Sequence, residues 1–476
     1  MASSCYLKIA LFLGVTAAIA NRADAQAPSA PNSIAQIASA GGWDTSLTLV
    51  NFSASPADAA LSFFDESGNP LSLPLSFPQG ALSTTNASKL TTTVNAHGLL
   101  LMDTKGPVNH AANVGWSLLH TGGKVGGYAV FTNTVSNWQA AVPIETRNAS
   151  SYLLAFDNTG SLSTGLAIAN LSSLAANINV TIRNDSGTAL DTQVINVPPQ
   201  GHTSFMLSSV YPSTAGIRGT IQFDTPAGGQ INVLGLRANG PALTTVPVLA
   251  EVSTNGGSMA HVTYNQGWRT TFTLVNTGTS PAQATLSFFD DFGTPLEMSM
   301  LFPQTGAVSS STTVTETLAA GASLIIETNG HDSFRAVTGS AQLTTTGNVS
   351  GFAIFRYNPS QQEAVVPLET RNASSYTVAF DNTNGIATGL ALANESKQAV
   401  TLNLILRTEN GAQIAGGIVA LPAHGHKAMV LSQGYPPTAG IRGTVEIDVP
   451  ANSQVSALGL RFTPSQNITT IPALAK

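Results

Sequence analysis

The octapeptide ETRNASSY stands at positions 145–152 and again at 369–376, an offset of 224. Chance does not repeat eight consecutive positions, so the chain carries an internal duplication and must fold as repeated units. The match runs further. Leu61–Asp65 returns at Leu286–Asp290, Phe77-Pro78-Gln79 at Phe302-Pro303-Gln304, Gly216–Thr220 at Gly440–Thr444 and Leu234–Arg237 at Leu458–Arg461. Each copy divides once more. Thr45, Asn51 and Gly68 recur as Thr164, Asn170 and Gly187, at a constant offset of 119; Asn276 and Gly293 recur as Asn394 and Gly411, at 118. Every unit closes on a β-branched residue and proline: Val142-Pro143, Val246-Pro247, Val366-Pro367 and Ile471-Pro472. The order is therefore A1-B1-A2-B2. The expected boundaries are 33–145 for A1, 146–250 for B1, 259–369 for A2 and 370–476 for B2, with linkers at 26–32 and 251–258.

Within each unit the patterning is that of antiparallel strands. Asn177–Arg183 and Thr401–Arg407 alternate apolar and polar residues, as half-buried strands do. Asp65–Gly68, Asp185–Gly187 and Glu409–Gly411 have the chemistry of tight hairpin turns, where glycine supplies positive φ. Charged residues make up only 9% of the chain, against about 25% in ordinary globular proteins. Helical bundles need charged outer faces, so this composition argues for β-structure with many turns. The expected fold class is all-β: four tandem antiparallel β-sandwiches arranged as two A–B pairs in a bead-like chain. The pattern of about seven short strands per unit resembles the immunoglobulin-like and fibronectin-III-like modules found in tandem in secreted and surface-associated bacterial proteins. That resemblance implies a structural, adhesive or glycan-binding role. It carries over no functional residues, and the Cys…Trp…Cys spacing of antibody domains is missing.

The first 25 residues read as a secretory signal: Lys8, an apolar run over Ile9–Ala20, and an Ala23-Asp24-Ala25 cleavage site. A run of twelve is too short for a bilayer core, which needs about 20 residues. Cys5 lies in the signal, so the mature chain has no cysteine and relies on packing rather than disulfides. Cleavage removes Lys8, Arg22 and Asp24, taking the formal charge from −6 to 17 − 24 = −7. With no basic patch, nucleic acid is excluded as a partner, and no membrane insertion is expected after cleavage. The expected location is secreted, extracellular or at the cell surface, and the expected partner is an extracellular or cell-surface polymer or protein. No cofactor is implied.

ETRNASSY falls where an A unit passes into a B unit. In so uncharged a chain a repeated Glu-x-Arg suggests a joint. Glu145, Arg147 and Asp157, with Glu369, Arg371 and Asp381, are expected to set the A–B angle through charge-assisted hydrogen bonds. The B1–A2 connection, Glu251–Ser258, is Gly/Ser-rich and expected to be loose. Trp43 and Trp268 are repeat equivalents expected in the core, and Trp116 is expected half-buried in a strand. Trp138 sits on a polar loop, matched by Tyr357 in A2; exposed loop aromatics can stack on sugar rings, which makes these two the candidate ligand-binding residues. His424-Gly425-His426 has no third ligand nearby and reads as a solvated turn, and Asp381–Gly385 as an Asx turn; no metal site follows. No catalytic set stands out. Asn51, Asn148, Asn170, Asn372 and Asn394 begin sequons that can carry glycans in a eukaryotic host. The reading is a non-catalytic structural or adhesive protein. The alternatives are a polysaccharide-binding array using the loop aromatics, and a hydrolase with a site at a domain junction.

Overall fold

The computed structural model describes residues 32–80, 82–250 and 256–476. The expected signal peptide, residues 26–31 of the first linker and 251–255 of the second lie outside the described residues. Strand accounts for 62% of the described residues and helix for 3%, in eight antiparallel sheets, so the all-β expectation stands. Among the described residues no helix is long and apolar enough to cross a membrane.

B1 shows the plan. Its nine strands are Ser151–Asp157, Leu162–Asn170, Ala176–Asn184, Ala189–Val197, His202–Met206, Arg218–Asp224, Ile231–Asn239, Ala242–Val246 and the short Leu249–Ala250. One sheet runs fourth-third-sixth-first-ninth, the other fifth-second-seventh-eighth. Alternating residues of the two sheets, such as Ile178, Val180 and Ile182 against Leu166 and Ile168, fill the space between them. The chain crosses between sheets at every step except the third–fourth and seventh–eighth hairpins. This is sandwich architecture, but the constant-type immunoglobulin order would set the first strand beside the second. Here the first pairs with the sixth and the seventh with the second. B2 repeats this order, and the A units add a hairpin, Leu73–Ser76 with Thr85–Ala87 in A1 and Met298–Phe302 with Ala307–Ser311 in A2.

The asparagines that repeat through all four units staple the sandwich. Asn170 is fully buried; its amide donates to the carbonyls of Leu174 (2.7 Å) and Pro198 (2.8 Å), and its oxygen accepts from Ser172 N–H (3.0 Å). Asn51, Asn276 and Asn394 make the same set. This is a correction to the sequon reading: the Asn51, Asn170 and Asn394 side chains are consumed by backbone groups that would otherwise be unpaired.

The units do not string out as beads. Each hairpin-turn glycine presses on the Pro/Gly or Ala/Gly corner of the next unit. A Cβ on Gly68 of A1 would lie 2.1 Å from the Pro199 carbonyl oxygen of B1; on Gly187 of B1, 2.4 Å from Ala320 O of A2; on Gly293 of A2, 1.8 Å from Ala423 O of B2; on Gly411 of B2, 2.0 Å from Ala96 O of A1. The last contact closes the cycle. Main-chain hydrogen bonds follow the same order: His202 N to Glu66 O (3.0 Å), Ser323 N to Asp185 O (2.9 Å), His426 N to Asp291 O (3.2 Å) and Leu99 N to Glu409 O (2.9 Å). One head-to-tail contact is thus used four times and closes into a ring. The closing strands Trp138–Pro143, Ala242–Val246, Gln362–Pro367 and Ile468–Ile471 meet one another around the centre in the same cyclic order. The apolar cores run on across the boundaries: Val275 and Phe352 of A2 pack with the B1 core, Val50 and Tyr128 of A1 with the B2 core. Of the connection expected to be loose, only residues 256–258 are described. Gly256, Gly257 and Ser258 belong to the strand Gly256–Tyr264, and Ser258 pairs with Glu369.

Candidate functional site

The ETRNASSY segment forms a self-contained elbow. Glu145 accepts from the Arg147 backbone N–H (2.6 Å) and from its guanidinium Nε (2.9 Å) and Nη2 (2.6 Å). Arg147 Nη2 also donates to the Val248 carbonyl of B1 (3.1 Å), and its guanidinium carbon lies 5.9 Å from the Tyr152 ring centroid. Glu369, Arg371 and Tyr376 repeat the arrangement, with Ala473 O as the B2 acceptor. These four charged residues therefore do sit at the A–B joints. Asp157 and Asp381 do not: Asp157 pairs with Arg218 (2.8 Å) and Asp381 with Arg442 (3.0 Å), each inside its own B unit. The reason is register, since the aspartate ends the first strand directly opposite the arginine that begins the sixth.

The loop aromatics are not free platforms. Trp138 is half-buried, lies 6.3 Å from Trp43 and donates its indole N–H to Gly240 O of B1 (3.2 Å). Tyr357 packs on Trp268 at 4.6 Å. Both Trp43 and Trp268 are themselves half-buried at the core rim rather than inside it. Trp116, expected half-buried, is fully buried at the A1–B1 contact, stacked on Phe64 (5.0 Å) with its N–H on Gln200 O (2.7 Å).

His424-Gly425-His426 is an interface, not a solvated turn. In A2 the position of Trp116 is Ser340, and His424 of B2 takes over the stacking role, 4.6 Å from Phe289 at 12°. His426 is buried between Asp291 (2.8 Å) and His261 (3.1 Å). Burial, with the neighbouring His426, lowers the His261 pKa to about 3. Burial alone tends to raise that of Asp291, but the hydrogen bond and charge of His426 outweigh it and leave the carboxyl below its usual value. The A1–B1 counterpart is Gln36, Glu66 and His202; His202 is buried with no well-formed hydrogen bond to either ring nitrogen, and burial lowers its pKa to about 4. Among the described residues no group of three or more His, Cys, Asp or Glu is placed to hold a metal ion.

A recess lies between A1 and B2, and of the candidate site residues singled out from the sequence only Asp381 lines it. It is a cleft of about 690 Å³ walled by Tyr128, Asp44 and Asp103 from A1 and by Phe380, Arg442 and Arg461 from B2. Its twin between A2 and B1 has closed to about 20 Å³. The difference can be traced to paired positions. In the twin, Glu363 is clamped by Arg237 (3.2 Å) and Arg356 (3.1 Å) and also accepts from Asn239. The matching A1–B2 residues are Gln139, Arg461, Thr132 and Thr463. Thr132 leaves the volume of the Arg356 side chain vacant, and neutral Gln139 removes the carboxylate. Arg461 is left with a hydrogen bond from Nη1 to Gln139 Oε1 (2.8 Å) and no carboxylate within ion-pair distance among the described residues. Tyr128, where the twin has Phe352, adds a hydroxyl whose pKa burial pushes up to about 12. Asp44, where the twin has Arg269, is raised by burial, opposed by Lys105 and reinforced by Asp103. Asp103 accepts from Ser46 Oγ (2.6 Å). No protein-family model and no curated protein matches this sequence.

Proposed function

We propose that this chain is a secreted, non-catalytic protein with a structural or adhesive role outside the cell, made of four immunoglobulin-like sandwich units in two A–B pairs. The observation that carries the reading is the closed cycle of hairpin-turn glycines. It spends the inner surfaces of all four units on one another and leaves a rigid body that presents its outer sheets and loops. Such a body suits repeated surface contact, where similar faces on one particle add avidity. A junction hydrolase is the competing reading, because Asp44 and Asp103 share the A1–B2 cleft and the first has a raised pKa. One experiment separates the two. Mature protein is sedimented with isolated cell envelopes and insoluble polysaccharides while released reducing ends are measured. Saturable retention without release supports the scaffold. Release that disappears in Asp44→Asn would overturn it in favour of the hydrolase, and a protein neither retained nor active would sink the adhesive role.

A further inference from the structure

We infer that the A1–B2 cleft is a binding site for a carboxylate-bearing sugar, a uronic-acid unit, with Arg461 as the anchor of its carboxylate. A guanidinium carries five N–H donors in a rigid fork made for a carboxylate. In the twin junction that carboxylate is built in as Glu363 and the space around it is filled. In the A1–B2 junction the arginine is kept, its carboxylate is replaced by Gln139 and the space is left open. A desolvated guanidinium without an anion is costly, and a carboxylate brought by a ligand restores the pairing seen in the twin. The cleft volume falls within the range of about 300–1,000 Å³ that takes small molecules.

The remaining walls narrow the ligand class. Asp44, Asp103 and Asp381 set three carboxylates against Lys105, Arg442 and Arg461, so the cleft carries no excess positive charge for a dianion such as phosphate. Carboxylates are instead strong acceptors for hydroxyl donors. Tyr128 supplies a hydroxyl and an aromatic wall, and Lys105 lies at the edge. One negative charge for Arg461, several hydroxyls for Asp44 and Asp103, and a compact ring describe a sugar acid better than a fatty acid, a nucleotide or a neutral sugar. The site goes beyond the scaffold role and does not depend on it.

The test is calorimetric titration of the mature chain at neutral pH with glucuronic- and galacturonic-acid mono- and disaccharides, beside glucose and galactose counterparts. Saturable binding of an acidic sugar, at least tenfold tighter than its neutral counterpart, is the expected result. Arg461→Gln should weaken it at least tenfold. Gln139→Glu should do the same by supplying the twin's own carboxylate, and the twin shows that this Glu–Arg pairing is compatible with the fold. Glu363→Gln, in the closed junction, should leave binding unchanged. Thermal unfolding of each variant separates loss of binding from loss of fold. No binding across the panel, equal binding of acidic and neutral sugars, or an unaffected Gln139→Glu variant would each overturn the inference.

Discussion

Asn394 occupies a position that any surface-minded reading assigns to a loop. Its amide instead satisfies Gln398 O and Pro422 O at 2.7 Å each. Asn394→Ala leaves those carbonyls buried and unpaired, so it should lower unfolding stability by about 2–3 kcal/mol. Exposed Asn148→Ala should change it by less than about 0.5 kcal/mol; urea unfolding of both variants checks the contrast. The buried histidines give the molecule a pH dependence. His202 and His261 titrate near 4 and 3 in the folded chain, against 6.5 when exposed. Between those values the unfolded chain holds protons that the folded chain refuses. Stability is therefore complete above 6.5 and falls as pH drops, by about 1.4 kcal/mol per pH unit for each histidine. Glu395, raised to about 7 mainly by burial, acts in the opposite sense between 7 and 4.5, because there the folded form holds the extra proton. Half-buried His97 and His424, also lowered mainly by burial, act in the same sense as the two buried rings. The double variant His202→Asn/His261→Asn should flatten the dependence of urea midpoint on pH below 6.5; an unchanged slope would show that these rings are not its source. Neither histidine was legible as an interface residue, since burial against another unit leaves no mark in local pattern.

At the scale of elements, the hairpin turns do two jobs. Their glycines meet the positive φ of the turn, 86° at Gly411, which the sequence pattern already required. They also admit the backbone of the next unit, which it did not reveal. Gly411→Val should prise B2 from A1 and open the ring at one junction, visible as a larger radius of gyration in solution scattering. Gly216→Ala shares a positive φ (72°) but has nothing within 4 Å, so it should cost about 1 kcal/mol in strain and leave the scattering unchanged. If both variants scatter like the parent, glycine docking does not hold the ring. The strands were readable from alternation and the turns from Asp, Asn and Gly. The swap of first and seventh strands relative to the immunoglobulin order was not, because both orders bury the same faces of the same strands.

The whole molecule has a two-fold logic laid over a four-fold one. The B1–A2 and B2–A1 junctions are repeat equivalents, so residues 26–250 alone expose both halves of one junction: the Asp185–Gly187 turn and the Leu99 edge. Two copies of that half should close the ring as a homodimer, with twice the half-chain mass by light scattering; a monomer at micromolar concentration would show that closure needs the covalent B1–A2 connection. What the sequence alone determined was the duplication, the four units, the strand and turn chemistry and the Glu-x-Arg elbow. All of these are periodic or local, and a period can be read along one dimension. The tertiary structure decided the ring, the displacement of Asp157 and Asp381 into their own units, the packing of Trp138 and Tyr357, and the A1–B2 cleft. Each depends on which surfaces meet across distant parts of the chain. The cleft is the clearest case, because it arises from volume that is missing: Thr132 where its twin has Arg356, and Gln139 where its twin has Glu363. Only the fold shows that those two small differences face the same unpaired arginine.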